Sequence, residues 1–289
     1  MMQRFKFSAG LCFLICVLIV SSMNCKPKKY IYKSPPHYNF AQPVSFKLDI
    51  VIREISGIIW DNQKDQFIAH NDEKGQVYFL DRSAGAIIGD PFVFSHEKGD
   101  YEDIAMIGHD AYVLRSDGAL FKIGIDSTTG KRNSTDLGKI GLSDKNDFET
   151  LYYDAEKKAL IMICKNCGSD DKKTISAFAY YPDSIGFVTK PVFQIDAAKI
   201  KELSPRETSK FQPSAARIHP ILKKLFIISS ASNQLVMANT DGEVEAVYML
   251  AQKLFPQPEG LTFKNNGEMF IANEGVAAKA TLLKFIYTP

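Results

Sequence analysis

Ser56-Gly57-Ile58-Ile59-Trp60 opens a phrase that returns as Glu102-Asp103-Ile104-Ala105-Met106, Glu149-Thr150-Leu151-Tyr152-Tyr153, Ser214-Ala215-Ala216-Arg217-Ile218 and Glu259-Gly260-Leu261-Thr262-Phe263. The first residues of the five copies lie 46, 47, 65 and 45 positions apart. A period near 45 with several strands in each period is how a β-propeller blade is written in sequence. Three of the five copies begin with glutamate, so a radial array would return an acidic side chain to the same place in three of its blades.

The residues around each phrase repeat the same grammar. A polar turn follows, such as Asp61 to Asp65 or Asp154 to Lys158, then a run rich in β-branched and aromatic residues, then a second turn and a third strand. The long third interval holds two additions, a loop from Cys164 to Lys173 and a short helix from Ala197 to Leu203 that Ser204-Pro205 ends. Val44 to Ile52 reads as a strand ahead of the first phrase, whereas the chain stops soon after the third strand of the fifth segment. A closed array leaves no free sheet edge. The expectation is an all-β fold, a five-bladed β-propeller over residues 44–289 with the N-terminal strand completing the last blade; a six-bladed array is the alternative.

The N-terminus is a different kind of sequence. Arg4 and Lys6 precede an apolar stretch from Leu11 to Val20, which is the pattern of an export signal and is short for a membrane span. It ends at Ser22-Met23-Asn24-Cys25, so residues 1–24 read as a lipoprotein-type signal peptide, Cys25 as the lipidation site and 25–43 as a tether. Ser22 and Asn24 stand where such signals prefer an aliphatic and a small residue. Ordinary cleavage nearby and an uncleaved anchor are the alternatives. The expected location is the cell envelope, with the membrane as a partner through lipidated Cys25 and a periplasmic or surface face.

Without the two basic residues of the signal, lysine plus arginine equals aspartate plus glutamate at 33 each. That balance carries no basic stripe and argues against nucleic acid as a partner. Cys164 and Cys167 are the cysteines left for the folded domain, and the spacing is consistent with a local disulfide or with two free thiols. Serine-hydrolase, zinc-protease and phosphate-loop motifs are absent from the sequence, and Asp126 to Gly130 lacks the later ligands of an EF-hand. His70, at a strand end, can face a shared cleft, while His109 and His219 sit in turns.

The weight therefore falls on Glu102, Glu149 and Glu259. Opening equivalent inner strands, they should converge at one mouth of the central channel, where three carboxylates repel unless a cation sits among them. Hard oxygen ligands at that density favour Ca2+, which takes 6 to 8 oxygens in loose geometry. The alternative is that each glutamate caps backbone amides or pairs with Arg115, Lys165 or Arg217.

The series ISGIIW, DYEDIAM, NDFETLYY, QPSAARI and PQPEGLTF, with the late strand GEMFIANE, resembles the SdiA-regulated domain family of bacterial envelope proteins over about residues 44 to 289. The resemblance implies a propeller behind a membrane-targeting segment, a calcium site near the axis held by Glu102, Glu149 and Glu259, and no assigned activity. Ser56 and Ser214 stand where the first and fourth copies lack glutamate, and strand-end groups such as Asn71 or Asn273 would help complete the shell. Two functions are compatible with this reading. One is a binding module for a small molecule, a glycan or a protein at the propeller mouth. The other is a calcium-dependent hydrolase of the esterase, lactonase or phosphoesterase class, with His70 or Glu274 as its base.

Overall fold

The structure, a computed structural model, describes residues 30–289 except 84, 127, 144, 172 and 276–278. Residues 1–24, read from the sequence as a signal, and Cys25 lie outside the described residues. Among those described, no helix is long and apolar enough to cross a membrane.

The chain enters through β1 (Val44–Lys47) and then builds five four-stranded antiparallel sheets. Blade 1 is β2 (Ile55–Asp61), β3 (Gln66–Asn71), β4 (Lys74–Leu80) and β5 (Phe92–Lys98). Blade 2 is β6 (Tyr101–Ile107), β7 (Asp110–Arg115), β8 (Ala119–Ile125) and β9 (Arg132–Lys139). Blade 3 is β10 (Asn146–Asp154), β11 (Ala159–Cys167), β12 (Thr174–Tyr181) and β13 (Gly186–Asp196), after which α1 (Ala197–Leu203) falls where the sequence places it. Blade 4 is β14 (Ala215–Ile218), β15 (Leu225–Ser229), β16 (Gln234–Ala238) and β17 (Val244–Met249). Blade 5 is β18 (Pro258–Phe263), β19 (Met269–Asn273) and β20 (Thr281–Phe285), completed by β1, whose Val44 faces Lys284 and Lys47 faces Thr281. The five-bladed propeller and its closure by the N-terminal strand are thus as the repeat implies.

Each blade's first hairpin turns through a residue in the left-handed region: Asp65, Gly108, Lys158, Lys223 and Gly267. The local chemistry explains why the polar turns work. Asp61 and Asp154 accept backbone N–H groups two and three residues on, holding the turn without ladder hydrogen bonds. In blade 4 the Nδ1 of His219 takes the same role toward Ile221 and Leu222. The core is five apolar clusters, one in each gap between neighbouring blades, so burial closes the ring as a whole.

Two expectations along the entry path change. The strand read as Val44 to Ile52 stops at Lys47, because Asp49 accepts the N–H of Val51 and caps a turn of 3-10 helix over Ile50–Ile52. The segment 25–43, read as tether, is part of the folded unit by Tyr38 and Phe40, which are buried between blades 4 and 5. Phe40 packs on Phe255 and Phe285 with ring centroids 5.5 and 4.7 Å apart. The boundary at residue 44 therefore falls inside the propeller domain.

The N-terminal strap, the stretch around Tyr38 and Phe40, fixes a tautomer. Nδ1 of His219 accepts two amides, so the proton resides on Nε2, which donates to the Tyr38 hydroxyl at 2.6 Å; that hydroxyl donates to the Gly267 carbonyl at 2.6 Å. Burial lowers the His219 pKa from 6.5 to about 4, and fully buried His70 is lowered likewise to about 4. Folded-state values below the unfolded one mean that the unfolded chain binds more protons between pH 6.5 and 4. Stability is then complete above 6.5 and is lost as pH falls. The raised carboxyls Glu102 and Glu259 oppose this trend in the same window, so the histidine share is read as a difference: between pH 6.5 and 4, His219→Asn, which keeps an acceptor for the turn, should lose less stability in thermal melts than the wild type.

Candidate functional site: an acidic mouth above an arginine plug

The inner strands β2, β6, β10, β14 and β18 are neighbours in a closed ring around the axis. Four of the five phrases carry a β-bulge at the same place. The ladder skips between Ile55 and Gly57, Tyr101 and Asp103, Phe148 and Thr150, and Pro258 and Gly260. The extra residues are Ser56, Glu102, Glu149 and Glu259. A bulge re-aims the side chain it carries, and all four line one cavity of about 450 Å³ at the same mouth.

That mouth is more acidic than the three glutamates alone. Glu54, Asp72, Asp100, Asp147 and Glu274 line it too, so among the described residues eight carboxylates face one lysine, Lys165. Carboxylate oxygens of Glu102, Asp147 and Glu149 lie within 4.8 Å of one another. Lys165 Nζ ion-pairs with Glu149, as one alternative reading of the sequence has it. Burial, with Asp100 hydrogen-bonded beside it, pushes Glu102 up to about 9. Burial raises Glu259 to about 7 against the hydrogen bonds that Ser230 and Gln257 supply. Asp72, Asp147 and Glu274 are raised as well, again mainly by burial. Carboxyls crowded so that their charged forms are disfavoured are an incomplete charge balance that a cation would complete.

Of the remaining expected ligands, Ser56 lines the mouth, and Ser214, Asn71 and Asn273 do not. Ser214 donates its hydroxyl to the Pro258 carbonyl at 2.8 Å, and Ser56 donates to the Glu102 carbonyl at 3.0 Å, so both serines tie their phrase to a neighbouring blade. Asn71 and Asn273 are buried, with Asn71 accepting the N–H of Lys74 and Asn273 donating to Leu254 and Thr281; neither lines the mouth. His70 does not face the cleft. It is buried against Gly57, where a Cβ would stand 2.4 Å from its Nε2, and glycine is what lets the ring approach. Of the two candidate bases, only Glu274 lines the mouth, hydrogen-bonded by Gln257. Cys164 and Cys167 form a disulfide at the end of β11 with Cα atoms 5.8 Å apart, so their sulfurs are not available as thiolate ligands.

Below the mouth the axis is plugged by Arg217 and Asp103. The guanidinium meets the carboxylate in two bonds of 2.9 and 3.1 Å, with both side chains buried. It also donates to the carbonyls of Ile58, Ile104, Leu151 and Ala216, so one side chain joins the inner strands of four blades. Asp103 accepts the N–H groups of Ile104 and Leu151 at 2.8 Å each. The plug separates the acidic mouth from a second cavity at the other end of the axis.

The family model described as SdiA-regulated matches residues 36–276. None of the curated proteins compared matches the sequence. Among solved structures, the glutaminyl cyclase of Myxococcus xanthus is similar with 12% identity and a TM-score of 0.54, over 85% of this chain and 96% of its own. A luciferin-regenerating enzyme aligns with 10% identity and a TM-score of 0.50, over 84% and 95%. The calcium-binding protein regucalcin of Agrobacterium tumefaciens aligns with 11% identity and a TM-score of 0.50, over 81% and 92%. At these identities the likeness is one of fold.

Proposed function

The chain belongs to the SdiA-regulated family, and from that premise we propose that it is an exported, lipid-anchored β-propeller of the cell envelope that holds Ca2+ at its acidic mouth and binds a ligand there. The carrying observation is the set of bulges that aims Glu102, Glu149 and Glu259 into one cavity beside Asp147. The donor set fits the ion, since every acidic ligand is a hard oxygen and calcium tolerates the irregular geometry of a mouth built from several blades. Glu102, Asp147 and Glu149 would hold it, and Glu259 lies across the same cavity. The ion supplies positive charge at the mouth of the channel, turning a repelling acidic ring into a site for an oxygen-bearing ligand: a small molecule, a glycan or a protein side chain. Equilibrium dialysis of the purified domain against calcium tests the reading; one ion per chain supports it and none contradicts it.

The anchor has its own test. Export as a lipoprotein rests on Ser22-Met23-Asn24-Cys25 after the apolar stretch, and a two-chain lipid anchor binds membranes stably. Cys25→Ser should move the protein out of the membrane fraction or leave it unprocessed, whereas Cys164→Ser should leave its distribution unchanged. Normal processing with membrane retention in Cys25→Ser rules the lipid anchor out.

A further inference from the structure

The cavity on the far side of the plug has a different chemistry from the acidic mouth. It measures about 400 Å³ and is walled by Trp60, Met106, Tyr153, Ile218 and Phe263, with Arg217 among its lining residues. That size and an apolar wall with few polar groups are the features of small-molecule sites. The Arg217–Asp103 plug makes it blind-ended, which suits a compact molecule better than a polypeptide segment passing through.

Charge says which kind of molecule. Arg217 is balanced by Asp103, and its Nε is buried with no hydrogen-bond partner. Lys223 lines the cavity, and Lys264 stands 3.6 Å from the Trp60 ring centroid. Asp154 lines it too, but is paired with Lys157 at 3.2 Å, which leaves Glu156 as the lining carboxylate without an ion pair among the described residues. Unlike the acidic mouth, this end holds cations at least equal to its anions. We infer that the cavity is a second ligand site, for a small amphipathic organic acid whose apolar body lies against Trp60, Met106 and Phe263 and whose anionic oxygen head lies toward Arg217. The inference is independent of the cation at the opposite mouth.

Trp60 is the single tryptophan of the chain and is part of the cavity wall, so its fluorescence reports on this site, and substitutions in the wall separate a probe bound here from energy transfer to one bound elsewhere. The probe is 1-anilinonaphthalene-8-sulfonate, an aromatic body with one sulfonate, compared with N-phenyl-1-naphthylamine, the same body without the acid. The expected result is quenching of Trp60 with one sulfonate probe bound per chain, and about tenfold weaker binding of the neutral analogue. Two substitutions locate the binding. Ala155→Tyr narrows the exposed rim and Met106→Glu sets a carboxylate into the half-buried wall, and each should weaken the sulfonate about tenfold or more while the melting curve stays cooperative. Absence of Trp60 quenching, or binding indifferent to both substitutions, overturns the site. Equal affinity for the acid and its neutral analogue overturns the assigned ligand class.

Discussion

Arg217→Met should destabilise the propeller by about 3–5 kcal/mol, the range for breaking one side of a buried ion pair, and lower its melting temperature on the order of 10 °C. The methionine fills much of the same space but leaves Asp103 buried without its cation, and leaves carbonyls of four blades without the donor they share. Leaving such groups unpaired costs more than the net worth of the bonds themselves. Asp103→Asn in the Arg217→Met background should restore part of the loss, because it removes the orphaned charge while an amide oxygen still accepts one backbone N–H. The two changes should therefore couple by roughly 0.5–3 kcal/mol in a double-mutant cycle. Urea or thermal unfolding followed by circular dichroism checks both points. An Arg217→Met protein that melts with the wild type would show that the blades need no axial tie.

The second large effect is expected at the acidic mouth, where two neighbouring substitutions should act in opposite directions. Glu149→Gln removes one ligand charge and should weaken calcium binding about tenfold or more, worth about 1.4 kcal/mol or above. Lys165 occupies the same carboxylate that the ion would use. Lys165→Gln should therefore tighten calcium binding, since no resident cation must be displaced, while the calcium-free protein becomes less stable for want of that charge. A purely structural Glu149–Lys165 pair would give two destabilised proteins with no opposed shift in calcium affinity. The same cluster sets a pH dependence for the calcium-free domain. Glu102 titrates at about 9 in the fold against an ordinary 4.5, so the folded state binds more protons than the unfolded one between those values. Stability is then present at low pH and is lost as pH rises toward 9. Above pH 6.5, where the buried histidines no longer contribute, the calcium-free protein should become steadily less stable as pH rises, and bound calcium should reduce that slope.

The blade count was legible because the repeat is local. Each phrase with its turn and following strand is contiguous, so composition and spacing suffice to see five copies, and an unpaired strand at Val44 suffices to see the closure. The bulge was not legible, because it is a property of register between two strands, and Glu102, Glu149 and Glu259 look like ordinary strand residues in the sequence alone. A weaker signal was available. The residues two before each phrase, Glu54, Asp100, Asp147, Gln212 and Gln257, are all polar, and all five line the mouth. Reading them as a second ring would have found Asp147, whose carboxylate lies within 4.8 Å of those of Glu102 and Glu149, whereas Asn71 and Asn273, expected to complete the shell, do not line the mouth.

Other features depend on partners far away in the chain. Arg217 sits in one of the two copies without a glutamate and is 114 positions from Asp103, so its place as the axial plug has no local mark. The strap looks like a linker, with Ser34-Pro35-Pro36-His37 ahead of Tyr38, and is fixed by contacts with His219 and Gly267 some two hundred residues on. His70 reads as a cleft histidine because it ends a strand. The absence of a side chain at Gly57 draws it inward instead, a cross-strand effect that no window along β3 contains.

The measurement that bears most directly on the central claim is the melting temperature of the purified domain at neutral pH, after exhaustive chelation and again with calcium in excess. A ligand present at about 100 times its dissociation constant stabilises by about 2.7 kcal/mol, which for a domain of this size is a rise of roughly 5–10 °C. That rise should grow with calcium concentration and should shrink in Glu149→Gln. Coincident melts with and without calcium, across concentrations up to millimolar, would contradict the account, and the acidic mouth would then be a charge cluster held by Lys165 and shared protons alone.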